Sequence, residues 1–157
     1  MNRLIRAKYH FGVLAGALLL GGILSGVAYA SPPGLVQVTS HNSFQATVMK
    51  LKAAVGEHGL MILKQFNQKM MLAMVGVHAQ PQITFEIFHP KYGKVIYATN
   101  PVDFLAVPLR IMVRQTGGGT VMIDYQKPST VLGSVGMSSL GEQLDPIVHA
   151  IAEAAAQ

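Results

Sequence analysis

The amino-acid sequence predicts an α+β fold: a single domain whose mostly antiparallel sheet is packed by helices, placed after an N-terminal signal peptide. Three observations predict it. Short alternating apolar runs recur at 35–39, at 83–88 and on both sides of Gly117-Gly118-Gly119. Stretches with helical spacing, Phe44 to Val55 and Ile147 to Ala155, separate and follow them. The order strand, helix, strand, helix, strand, short helix, hairpin, helix suits segregated layers better than repeated parallel units.

Taken in order, Leu35 to Thr39 alternates as a strand, with Val36 and Val38 on one side. Ser43 supplies a capping hydroxyl, Phe44, Val48, Leu51 and Val55 make one helical face, and Gly59 is a left-handed stop. Leu60 to Phe66 resumes as a strand, and Asn67 to Val77 reads as a methionine-rich helix ending near Gly76. Ile83 to Phe88 alternates again and is closed by His89-Pro90. Lys91 to Thr99 admits two readings, a strand from Val95-Ile96-Tyr97 or a short helix between Pro90 and Asn100-Pro101. Leu109 to Arg114 and Thr120 to Gln126 flank the glycines as a β-hairpin. An odd turn length puts Ile111, Val113, Ile123 and Tyr125 on one face, with Arg110, Met112, Arg114 and Asp124 on the other. Asp145-Pro146 reads as the start of the last helix.

The first thirty residues have the three parts of a secretory leader. Arg3, Arg6 and Lys8 come first without an acid, Phe11 to Val27 is uncharged, and Ala28-Tyr29-Ala30 fits the two shallow pockets of a signal peptidase. Cleavage is expected after Ala30, leaving Ser31–Gln157 as one exported domain, periplasmic or extracellular in a bacterial envelope. The alternative is an uncleaved anchor, because Phe11 to Ala30 just reaches the roughly 20 residues a spanning helix needs. Membrane contact is then expected through the leader alone. Gly21-Gly22, Gly26 and the extended exit Ser31-Pro32-Pro33-Gly34 favour cleavage.

Three of the twelve basic residues leave with the leader, so the seven acids nearly balance the rest. The sequence pI of 9.6 therefore overstates the basicity of the mature chain. Its cations are scattered, which argues against nucleic acid as a partner. With no cysteine, thiol catalysis, thiolate metal sites and covalently attached haem are excluded. Scattered acids and the absence of a G-x-S-x-G elbow give no constellation for hydrolysis, so the chain is not expected to be an enzyme.

Several ordered stretches resemble the domain-of-unknown-function 302 family, whose members have a TT-1751-like fold. Ser43-Phe44 through Thr47-Val48 and Leu51-Lys52 closes at His58-Gly59. Ile87-Phe88-His89-Pro90-Lys91-Tyr92-Gly93 is similar to the family's FGNPKxG run, and Val107-Pro108-Leu109-Arg110-Ile111-Met112-Val113 to its LPLRVLV strand. Tyr125 followed by Pro128 matches the end of the hairpin. The likeness covers most of residues 35–131 and implies a compact α+β domain, often a homodimer, with no established activity. Phe88-His89 stands where the family has Gly-Asn, Ala106-Val107 where it has an acid, and Asn67-Gln68 where it often has Asp-His. No catalytic residue is therefore carried over.

Two candidate sites emerge. His89, at a strand end where the family has a polar side chain, and Arg110 are candidate ligand-binding residues. Met71, Met74 and His78 would stack on one side of a helix, and thioethers with an imidazole suit Cu(I). The bland alternatives are a turn histidine, and methionines filling a core. The expected function is a non-catalytic module binding a small ligand or an envelope protein. The alternative is copper or haem binding through Met and His side chains.

Overall fold

The structure, a computed structural model, describes residues 30–157; residues 1–29, where a leader is expected, lie outside them. Ser31–Gln157 forms one compact unit. Five strands make one sheet in the order β1-β5-β4-β3-β2, and every neighbouring pair is antiparallel. They are β1 (Leu35–Ser40), β2 (Met61–Asn67), β3 (Gln82–Phe88), β4 (Leu109–Gln115) and β5 (Val121–Gln126). The helices are α1 (Phe44–Glu57), α2 (Gln68–Ala73), α3 (Pro90–Thr99), α4 (Pro128–Gly133) and α5 (Ser138–Ala156), with a 3-10 segment at Pro101–Ala106.

Period-two alternation explains the layering. In β3, β4 and β5 the residues Phe85, Ile87, Ile111, Val113, Ile123 and Tyr125 face the core and are buried. They meet Leu51, Ala54 and Val55 of α1 and Leu144, Val148, Ile151 and Ala155 of α5. The other face of the sheet carries Glu86, Arg110, Met112, Arg114 and Asp124. Hairpin partners Ile111↔Tyr125 and Val113↔Ile123 match the expected faces, because Gln115 pairs Val121 across an odd turn.

The caps follow local chemistry. Ser43 Oγ accepts from Ala46 N at 3.3 Å, and Gly59 ends α1 with φ +76°. The ambiguous segment 91–99 is a helix. Pro90 sits in its first turn, His89 caps it, and the β-branched run is accommodated because Ile96 is driven into the core.

Two expectations need correction. The methionine-rich helix ends at Ala73 rather than Val77, since Gly76 takes φ +78° and turns the chain. The last helix begins at Ser138, seven residues before Asp145-Pro146, and Pro146 lies inside it. Leu140, Gly141 and Leu144 already carry the buried stripe that continues at Val148 and Ile151. Burying that stripe outweighs the roughly 3 kcal/mol an internal proline costs.

Candidate functional site

The described residues with the most varied chemistry meet where α5 crosses the β1–β5 edge of the sheet. β5 delivers Tyr125, paired with Val36 of the edge strand, and α5 delivers Asp145, His149 and Glu153 at successive turns. Val36, Tyr125, Lys127, Asp145, Pro146 and His149 surround a groove of about 370 Å³, with Glu153 one turn beyond it on α5. Tyr125 Oη lies 3.0 Å from His149 Nδ1, and His149 Nε2 lies 3.8 Å from Glu153 Oε1. With neutral His149, the phenol donates to Nδ1 and the ring proton sits on Nε2, toward the carboxylate.

Asp145 is held from below. Ser129 N and Ser129 Oγ both donate to its carboxylate, at 2.9 and 2.7 Å, so the helix-capping role suggested by its sequence is real but serves α4. This is possible because Gly141 lets α5 lie against the α4 backbone. A Cβ there would stand 2.4 Å from Ser129 Cα and 2.6 Å from Pro128 O.

Tyr125 is 4% exposed. Burial, reinforced by the charges of Asp145 and Glu153, pushes its hydroxyl up to about 12. It is therefore a hydrogen-bonding group and not a nucleophile at ordinary pH. Ser129, in turn, is bonded to a carboxylate and not to an imidazole, so serine and base are not assembled for acyl transfer. The groove offers a phenol, an imidazole and the Asp145 carboxylate, with Lys127 at its wall, beside Val36 and Pro146.

The residues singled out in the sequence lie elsewhere, and not together. His89 Nδ1 accepts from Lys91 N at 2.9 Å as the cap of α3, and its ring stands edge-on to Tyr92 with centroids 5.4 Å apart. It lines a tight apolar space of about 20 Å³ with Leu60, Ile87 and Ile96. Arg110 is exposed, pairs with Glu86 at 3.4 Å and borders a separate cavity of about 250 Å³ beside the cis Val107–Pro108 bond and Ser134. Arg114, not Arg110, pairs with Asp124, which is only 5% exposed and also accepts from Gln37 Nε2 at 2.8 Å. This set is therefore partly buried rather than a surface network.

Met71 lies on α2 and Met74 at its end, both exposed, while His78 follows the Gly76 turn. His78 lines a shallow cavity of about 300 Å³ with Lys69, Ala73 and Val77. The helix thus does not stack the three. Among the described residues, no group of three His, Cys, Asp or Glu side chains is placed to hold a metal ion.

The model of the family described as "Domain of unknown function DUF302" matches residues 36–157. The chain belongs to the DUF302 family. A solved structure with the same fold is an uncharacterized conserved DUF302 protein from Bacillus stearothermophilus. It is 18% identical, superimposes with a TM-score of 0.72, and the match covers 78% of this chain and 98% of that one. A comparison with curated proteins finds no match. The DUF302 match extends through α5, so the groove residues Tyr125, Asp145 and His149 fall inside the family's own domain.

Proposed function

We propose that this DUF302 domain is an exported, non-catalytic binding module, and that the groove between the β1–β5 edge and α5 takes its small ligand. The observation that carries this reading is the convergence of Tyr125, Asp145 and His149 on one 370 Å³ groove. Burial is the main cause of the raised Tyr125 hydroxyl, and the Asp145 and Glu153 carboxylates add to it; these two charges favour an organic cation, an ammonium or guanidinium group on a small apolar frame. Val36 and Pro146 provide surface for the frame, and Lys127 at the wall disfavours ligands carrying more than one positive charge. Export rests on the form of the leader, and assembly as a homodimer rests on the family resemblance.

The test is a ¹H–¹⁵N spectrum of Ser31–Gln157 titrated with phenethylamine and, separately, with 3-phenylpropionate. Shifts from the amine should cluster on Val36, Tyr125, Asp145 and His149, with none from the acid at equal concentration. Equal responses to both, or shifts centred away from the groove, would overturn the reading.

A further inference from the structure

We propose that the β2–α2 end of the domain is a docking surface for an anionic lipid bilayer. The groove borders β1, whereas this surface lies at the opposite edge of the sheet, so it is a second site independent of the first.

The methionines of α2 do not fill a core. This helix buries none of its residues, and its side-chain tie to the sheet is one hydrogen bond, Gln68 Nε2 to Thr84 Oγ1 at 2.6 Å. Met70 and Met71 are more than half exposed, and Met74 and Val75 at the tip are 81% and 74% exposed. Leu63, at the β2 bulge, is also exposed. Large apolar side chains grouped this way on a soluble surface mark an interaction site. The asparagine cap at Asn67 and the Gly76 turn hold the tip as a fixed projection.

Charge selects the occupant. Along the chain there is no acid between Glu57 and Glu86, and Lys64 and Lys69 are both exposed; Lys69 borders Ala73 and Val77 at the tip, while Lys64 lies on β2 opposite Glu86, whose carboxylate Arg110 pairs. Apolar side chains flanked by lysines suit the boundary between headgroups and acyl chains, where the thioethers enter and the ammonium groups stay with lipid phosphates. A second copy fits poorly, because a two-fold contact would set this lysine pair against itself. Unbranched, flexible methionines also suit a fluid surface better than a shaped protein groove. Among the described residues no helix is long and apolar enough to cross a membrane.

The experiment is co-sedimentation of Ser31–Gln157, free of its leader, with phosphatidylglycerol–phosphatidylethanolamine vesicles and with phosphatidylcholine vesicles. The expected result is binding to the anionic vesicles alone, weakened by salt. Partitioning should fall about tenfold in a Met74→Ser/Val75→Ser variant and also in Lys64→Gln/Lys69→Gln, with unchanged melting temperatures. No binding to anionic vesicles, equal binding to both kinds, or indifference to both variants would overturn it. So would sedimentation velocity showing that the tip variant abolishes a dimer while vesicle binding is absent.

Discussion

At the scale of single residues, Tyr125 does more than close a hairpin. Its ring belongs to the core and its hydroxyl meets His149, so one side chain ties β5 to α5 and forms the floor of the groove. Its ionisation has a direct consequence for stability. The folded pKa is raised from 10.0 to about 12, first by burial and then by the carboxylates of Asp145 and Glu153. A folded value above the unfolded one means the protonated form is favoured by folding. The contribution is fully present below pH 10 and is lost as pH climbs from 10 to about 12. Over that window the domain should lose at most ~3 kcal/mol of stability on this account. Denaturant unfolding followed between roughly pH 9 and 12 checks it. Tyr125→Phe should flatten the decline, and an unchanged slope would contradict the assignment.

At the scale of elements, the contact between α4 and α5 holds the groove's acidic side. Gly141 permits it, and Asp145 completes it by capping α4 from outside that helix. Gly141→Ala would drive a methyl group into the backbone of Ser129. It should destabilise the domain by about 1–3 kcal/mol in urea unfolding, although alanine is the better helix former. A neutral or stabilising result would mean the helices separate without cost. The elements differ in how legible they were. The β4–β5 register could be read because strict alternation continues on both sides of the triple glycine. The start of α5 could not, because Asp145-Pro146 has the chemistry of a cap, and nothing local says that the cap belongs to a helix sixteen residues earlier. The 91–99 helix was open for a similar reason: β-branched propensity opposed the proline and cap signals, and burial of Ile96 settled it.

At the scale of the molecule, the fold was accessible from the sequence and the groove was not. A layered α+β architecture follows from periodicities that act within one element at a time. The groove needs β1, β5 and α5 to meet, and Tyr125 and His149 stand 24 positions apart. His149 and Glu153, four positions apart on α5, form the half-exposed pair their spacing implies, but nothing in that spacing tells of the Tyr125 contact His149 also makes. The residues with conspicuous local settings, His89 before a proline and Met71, Met74 and His78 near helical spacing, lie outside the groove. Their geometry is accounted for by a helix cap at His89 and by an exposed, turned segment around α2.

The central claim is that the groove's negative field binds a small organic cation. Isothermal titration of Ser31–Gln157 with phenethylamine, beside a Glu153→Gln variant that lacks one of the two charges, tests it most directly. The account predicts saturable one-site binding, weakened about three- to tenfold in the variant while the melting temperature holds. No saturable heat in the parent protein, or equal affinity in the two, would contradict it.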